Sequence, residues 1–138
     1  MKTILTDAIL SIKPIYANGI LSGNKKVEFR KKIFKKSVER VYIYSSSPQK
    51  MMVGYFTIQK IVEDTPVNLW NRFKDVGGIE EDHFFEYFKD TDTGFSIVIN
   101  KVVKFDEEKD PIEFQENFSA PQSYVYLERR NNKIMYKK

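Results

Sequence analysis

The segment that decides the fold is residues 8–30, AILSIKPIYANGILSGNKKVEFR. Its first part, up to Lys13, alternates between two faces with Ala8, Leu10 and Ile12 on one of them, which predicts a strand, and Pro14 then suits the first turn of a helix. Gly23 stands where a left-handed C-terminal cap is expected. Residues 26–30 alternate again, and this pattern indicates a second strand. The segment therefore predicts a strand, a helix and a strand in close succession.

The rest of the chain contributes more strands than helices. Strands are predicted at residues 41–44, 51–62, 95–105 and 124–127, and helices at residues 65–76 and 79–88. Residues 106–123 are polar and contain two prolines, so we expect a long loop with one helical turn. The resulting order, β-α-β-β-β-α-α-β-β, predicts an α+β fold around a curled, mixed sheet. No Gly-rich phosphate loop follows a strand, which excludes the nucleotide-binding α/β classes.

Composition narrows the possible chemistry. The 138 residues suit one domain, and a hydrophobic fraction of 41% with 11 Phe and 8 Tyr argues against disorder. The absence of cysteine excludes disulfides, thiolate catalysis and Cys-ligated metals. A single histidine, His83, argues against a His-rich metal site or a Ser-His-Asp triad. We expect a soluble, cytoplasmic protein with no cofactor, no metal and no membrane contact, and the sequence carries no signal for an oligomeric state.

Positive charge is concentrated near the N-terminus. Residues 1–50 hold 11 Lys or Arg and 3 Asp or Glu, whereas residues 51–127 hold 7 and 15. Eight of the basic residues fall between Lys25 and Arg40. A basic face of this kind attracts nucleic-acid phosphates, although lysines on a strand edge also discourage sheet aggregation. Both interpretations stay open on charge alone.

The deciding segment also resembles ASCH domains, which belong to the PUA-like superfamily. The resemblance lies in strand-Lys13-Pro14-helix followed by Gly-x-Lys-x-x-Glu-x-Arg at residues 23–30. Three later pieces are similar as well, at residues 42–48, 53–56 and 120–127. The resemblance implies a single ASCH domain over residues 1–138, with a core at about residues 8–127 and a basic tail at residues 128–138. It further implies a small PUA-like mixed β-barrel with flanking helices and a cleft on one side.

The same resemblance suggests what the cleft does. Superfamily members are mostly RNA-binding modules, and some relatives recognise modified bases. Some small ASCH proteins are enzymes, including an amidohydrolase that removes the acetyl group of N4-acetylcytidine. That enzyme is similar to this chain at Lys25, its base or activator position, but has a threonine nucleophile where this chain has Glu28. A glutamate could accept an acyl group only by forming an anhydride.

The candidate ligand-binding residues are Lys13, Tyr16, Lys25, Glu28, Arg30, Ser45, Ser46, Ser47, Gln122 and Ser123. A Lys-Glu-Arg cluster can hold its charges by mutual pairing and leave a cation facing a phosphate, or it can simply brace the strand. The carboxylate could also accept a hydrogen bond from the exocyclic amine of a base. The serines offer hydroxyls and backbone N–H groups to a phosphate or form a plain turn. Gln122 and Ser123 are expected either to contact a base edge or to cap a strand. Tyr16 is expected either to stack on a base or to belong to the core.

Other conspicuous side chains have structural interpretations. Aromatic residues recur at helical spacing and are expected in the core: Trp70, Phe73, Phe84, Phe85 and Phe88. His83 is expected to be structural or exposed, on a helix far from the basic block. The acidic runs at residues 80–82 and 106–108 are interpreted as solvated faces rather than a site for a divalent cation.

Three functional hypotheses follow, in order of preference. The first is a binding module whose basic cleft takes RNA or a particular nucleotide, with Lys31 to Arg40 adding backbone contacts. The second is an enzyme on the same cleft, either a ribonuclease or a hydrolase of a modified nucleoside, in which Lys25 and Glu28 are catalytic. The third is a protein-interaction module in transcription regulation, in which acidic helices at residues 65–90 dock a basic partner.

Overall fold

A computed structural model describes residues 4–130 and, for the backbone alone, residues 133–135. The strands are β1 (Ile4–Ile12), β2 (Val27–Arg30), β3 (Arg40–Ser45), β4 (Met51–Asp64), β5 (Gly94–Lys109), β6 (Tyr124–Arg130) and β7 (Lys133–Met135). The helices are α1 (Pro14–Ser22), α2 (Pro66–Phe73) and α3 (Glu81–Tyr87), with one 3₁₀ turn at Pro111–Glu113. The predicted α+β class and the predicted order of elements are confirmed, and β7 is an addition. None of these helices combines the length and apolar composition that crossing a membrane requires.

All seven strands form one sheet in the order β2-β5-β4-β3-β1-β6-β7. Strands β1 and β3 are parallel and the other neighbours are antiparallel, so the predicted mixed sheet is confirmed. Within the part of the chain that the structure describes, no backbone ladder joins the two edge strands. Closure of the sheet into a barrel is therefore not confirmed.

Local sequence signals end α1 and begin α2 where expected, whereas α2 ends at Phe73 rather than residue 76 and α3 begins at Glu81 rather than residue 79. Gly23 has a φ of 87° and donates its N–H to Ile20 at 3.1 Å, which closes α1 with a left-handed cap. The Thr65 hydroxyl accepts a hydrogen bond from the Asn68 N–H at 3.3 Å, and Pro66 occupies the first turn of α2. These caps position α1 and the helical stretch that follows β4.

The loop predicted at residues 106–123 begins later than expected. Strand β5 continues through residue 109, because its far end pairs with the start of β4, Met52 opposite Lys109. Sheet pairing thus overrides the polar composition of residues 106–109. Gly54 lies at a register shift on β4, and a Cβ there would stand 2.4 Å from the Val103 carbonyl oxygen. The backbone of β5 therefore lies too close to this position for any side chain.

A core under the helices fixes α3 to the edge strand. Phe29 of β2 and Phe84 of α3 meet edge to face, with ring centroids 4.9 Å apart and an interplanar angle of 86°. Phe84 is fully buried, which contributes about 2–3 kcal/mol of hydrophobic stabilisation. The other predicted aromatic residues lie in or against the same cluster, which also holds Leu69 and Val27. Helix α3 is therefore held firmly beside β2.

One buried ion pair has no counterpart in the sequence predictions. Asp7 on β1 and Arg129 on β6 are joined by an Nε–Oδ2 distance of 2.8 Å, and both side chains are almost fully buried. Asp7 also accepts a hydrogen bond from the backbone N–H of Arg40 at 3.1 Å. The carboxylate thus ties three neighbouring strands, β6, β1 and β3, together.

Candidate functional site

An open cleft of about 650 Å³ lies where β1 and β2 end beside α1 and α3. Its walls come from the end of β1, the start of α1, β2, the turn after β3, α3 and the loop before β6. Seven of the ten candidate residues line this one cleft: Lys13, Tyr16, Lys25, Glu28, Arg30, Ser46 and Gln122. Two stretches far apart in sequence, residues 11–30 and residues 121–122, therefore meet at one place.

Lys25 lies in the floor of the cleft with only 2% of its surface exposed. Its Nζ donates a 2.6 Å hydrogen bond to the Gly77 carbonyl and stands 3.8 Å from Glu28 Oε1. The ring centroids of Phe29 and Tyr16 lie 5.0 Å and 5.3 Å from the same nitrogen. Burial lowers the pKa of Lys25, and the charge of Glu28 opposes that effect without cancelling it. This amine releases its proton more readily than a surface lysine does.

Arg30 links the edge strand to the other half of the sheet. Its guanidinium donates to the Ser11 carbonyl at 3.4 Å, to Glu28 Oε2 at 3.4 Å and to the Ser123 carbonyl at 3.0 Å. Glu28 and Arg30 share one face because residues two apart in a strand point the same way. The sheet therefore curls far enough for β2 to face β1 and the start of β6, and the Arg30 side chain spans the gap between them.

Tyr16 stands at the side of the cleft on α1. Burial raises the pKa of its phenol, and the negative charges of Glu28, Asp82 and Glu80 raise it further. The hydroxyl therefore keeps its proton well into the alkaline range and can donate a hydrogen bond at neutral pH.

The three candidates outside the lining have other environments. Ser45 is buried at the end of β3, and its hydroxyl has no hydrogen-bond partner among the described residues. Ser47 is exposed beyond the cleft, whereas Ser46, which lines it, donates its backbone N–H to Ile12 at 2.9 Å. Ser123 contributes its carbonyl to Arg30 rather than its side chain to the cleft.

Sequence reasoning missed the wall formed by α3. His83, Glu86 and Tyr87 all line the cleft, together with Ile79 just before the helix. His83 is exposed, which is one of the two roles expected for it. The prediction that it lies far from the basic block is wrong, because it lines the cleft. The available signal was the spacing of the three residues, since positions i, i+3 and i+4 share one face of a helix.

The basic segment, residues 31–36, leads away from the cleft with its backbone held in place. The Tyr87 hydroxyl accepts a hydrogen bond from the Lys31 N–H at 3.2 Å. The Tyr126 hydroxyl accepts from the N–H groups of Lys35 and Lys36 at 2.7 Å and 3.1 Å. Four lysines of this segment are exposed: Lys31, Lys32, Lys35 and Lys36. A row of solvated cations therefore begins at the rim of the cleft.

A second, smaller hollow of about 270 Å³ lies elsewhere on the sheet. Tyr42, Tyr55 and Phe105 form much of its wall, and the Arg40 guanidinium lies 4.5 Å from the Tyr55 ring centroid. It contains none of the candidate residues.

Similar proteins decide the family to which this chain belongs. Residues 6–119 match the model of a family described as a domain of unknown function, DUF365. An ASCH domain-containing ribonuclease from Zymomonas mobilis is 29% identical over 129 residues, which cover 89% of this chain and 85% of the relative. This chain is an ASCH domain of the DUF365 family.

Solved structures agree with that assignment. The crystal structure of ASCH from Zymomonas mobilis superposes with a TM-score of 0.81 at 28% identity, covering 88% of this chain and 87% of that one. A serine-to-alanine variant of the same Zymomonas protein gives a TM-score of 0.82 at 27% identity, with the same coverage. The similarity therefore extends over nearly the whole ASCH domain and not only over its motif.

Proposed function

We propose that this ASCH domain binds single-stranded RNA and takes one nucleotide into the cleft. The observation that carries the proposal is the convergence of Lys13, Lys25 and Arg30 on one open cavity. The volume, about 650 Å³, lies within the range of small-ligand sites and suits a nucleotide. The similar Zymomonas protein is named a ribonuclease, which supports RNA as the partner.

Each part of a nucleotide finds a suitable group in the cleft. Exposed Lys13 lines the cleft, and its ammonium, which is paired with none of the described residues, can approach a phosphate. Arg30 presents a planar guanidinium, the group best suited to phosphate oxygens. The Tyr16 and Tyr87 rings lie in the wall, and flat aromatic rings stack on unpaired bases. The exposed lysines of the basic segment extend the cationic surface along the strand of RNA.

The test is fluorescence polarisation with labelled uridine hexamers. Affinity is expected to fall steeply between about 50 mM and about 200 mM salt, because each phosphate contact releases counterions. Lys13→Gln is expected to weaken binding by severalfold, whereas Lys26→Gln, a substitution of an exposed lysine outside the cleft, leaves it nearly unchanged. Wild-type protein that fails to bind RNA even at low salt would overturn the proposal.

RNA cleavage is the second candidate function, and Lys25 is the observation that favours it. A buried amine whose pKa is lowered by desolvation can accept a proton or stabilise charge on a phosphate. In cleavage the 2′-oxygen would bond to phosphorus and lose its proton to a basic group. The bond from phosphorus to the 5′-oxygen would break, and that oxygen would take up a proton.

Denaturing gels of end-labelled RNA test this reaction. A matched RNA with a 2′-deoxy sugar at each cleaved position should resist, because it lacks the nucleophile. Lys25→Met should abolish cleavage, while Lys26→Met should retain it. Intact RNA after prolonged incubation with wild-type protein would leave binding as the function, and release of acetate from N4-acetylcytidine would identify the hydrolase alternative.

A further inference from the structure

We propose that α3 is the base-recognition element of the cleft and that it selects guanine in single-stranded RNA. This inference rests on the proposed RNA binding and adds the identity of the base to it. Its starting point is the set His83, Glu86 and Tyr87, three chemically different side chains on one helix face that all line the cleft.

The helix is rigid enough to discriminate between bases. Phe84 on another face of the helix and Phe88, which directly follows the helix, are buried, and both rings pack on Phe29 of β2 at centroid distances of 4.9 Å and 6.5 Å. Phe29 directly follows Glu28 in the other wall of the cleft. The two walls therefore hold a fixed separation, as selection between flat ligands of similar size requires.

The charges orient the nucleotide. Glu28 is paired with Arg30 and Lys25 in the wall that faces α3. The Glu86 carboxylate is exposed and has no hydrogen bond or ion pair with any described residue. A phosphate is attracted to the wall with Lys13 and Arg30 and repelled by Glu86, so the base faces α3.

An ionised carboxylate accepts hydrogen bonds and donates none, so it favours the base with the most donors on one edge. The Watson–Crick edge of guanine presents N1–H and the 2-amino group side by side, which a carboxylate accepts in a bidentate contact. Adenine and cytosine offer one amino group next to an acceptor nitrogen, and uracil offers one N–H between two carbonyls. These edges are free in a single strand. His83, one turn earlier, can donate an N–H to the guanine O6.

The experiment uses labelled uridine hexamers with one central substitution by guanosine, inosine, adenosine or cytidine. Wild-type protein is expected to bind the guanosine hexamer about tenfold more tightly than the adenosine hexamer, the discrimination of a good bidentate contact. Inosine lacks only the 2-amino group and should fall between them. Glu86→Gln should remove most of the preference for guanosine, so that the guanosine and adenosine hexamers bind with nearly equal affinity.

Glu81→Gln is the matched control, because Glu81 is an exposed glutamate of the same helix outside the cleft. Equal binding of all hexamers by the wild-type protein, or the same guanosine preference in both variants, would overturn base recognition by Glu86 while leaving RNA binding intact. Failure of the wild-type protein to bind any hexamer would instead overturn the proposed function, and the inference would fall with it.

Discussion

Gly78 lies against Lys25 so closely that a Cβ added to the glycine would stand 2.6 Å from the Cβ of the lysine. Gly78 also has a φ of 62°, in the left-handed region that side chains disfavour. The preceding residue, Gly77, accepts the hydrogen bond from the Lys25 ammonium. The turn between α2 and α3 and the buried lysine thus fix each other's position.

Replacement of Gly78 by alanine is expected to destabilise the domain more than the same change at Gly23. Both glycines have positive φ, so both substitutions cost about 1–2 kcal/mol of backbone strain. Only Gly78→Ala adds a steric clash, because none of the described residues lies within 4 Å of a Cβ on Gly23. Urea unfolding should show a further loss of about 1–3 kcal/mol for Gly78→Ala. Equal losses would show that the turn does not press on Lys25.

Lys25→Met should change the pH dependence of stability in a defined direction. Burial holds the folded-state pKa of Lys25 below its ordinary value of 10.5. Between the lowered pKa and 10.5 the unfolded chain binds more protons than the folded protein, so this lysine makes the free energy of unfolding rise with pH. The wild-type protein should therefore gain stability relative to Lys25→Met as the pH rises towards the ordinary lysine pKa of 10.5.

The measurement is chemical unfolding at several pH values, with Lys26→Met as the control because Lys26 is the exposed neighbour. Taking differences from the wild type removes the shared titration of the tyrosines. An identical pH trend in the two variants would show that burial of Lys25 is not the cause.

Asp7→Ala should cost far more stability than loss of a surface carboxylate. The substitution leaves the buried Arg129 guanidinium without the carboxylate 2.8 Å from its Nε and removes the acceptor for the Arg40 N–H. A loss of about 3–5 kcal/mol is expected in urea unfolding. Asp75→Ala, at an exposed aspartate, should change stability by no more than about 0.5 kcal/mol. A comparably small loss for both variants would show that the buried pair is not a main contributor to the stability of the domain.

Neutralising the basic segment should weaken RNA binding without changing base preference. Substitution of its four exposed lysines by glutamine should flatten the plot of log affinity against log salt by about 0.7 for each phosphate contact removed. The control removes the same charge elsewhere, at four other exposed lysines: Lys60, Lys74, Lys89 and Lys101. The same slope in both quadruple variants would place the RNA away from residues 31–36.

The parts of this fold that follow local rules could be predicted from sequence. The cap at Gly23, the start of α2 at Pro66 and the shared face of Glu28 and Arg30 depend on neighbours within a few residues. The buried pair of Asp7 and Arg129 could not be predicted in the same way, because it joins residues 122 apart through the pairing of β1 with β6.

The same distinction between local patterns and contacts of distant residues applies to the candidate site. Its cationic wall was predicted because Lys13, Lys25 and Arg30 belong to one continuous motif. The wall of α3 was not, because His83 reaches the cleft only through the packing of Phe84 on Phe29, a contact between residues 55 positions apart that no local pattern encodes.

Residues 65–93 leave and rejoin the sheet at adjacent points, since Asp64 pairs with Gly94. The whole helical excursion is thus an insertion between β4 and β5, and it contacts the motif-bearing part of the chain through Phe29, through Lys25 at the Gly77–Gly78 turn and through Lys31 at Tyr87. Exchange of this insertion would replace the α3 wall of the cleft, and the replacement would have to keep the turn that holds Lys25 in place. On the proposed function, base selection and phosphate attraction would therefore be supplied by different pieces of the chain.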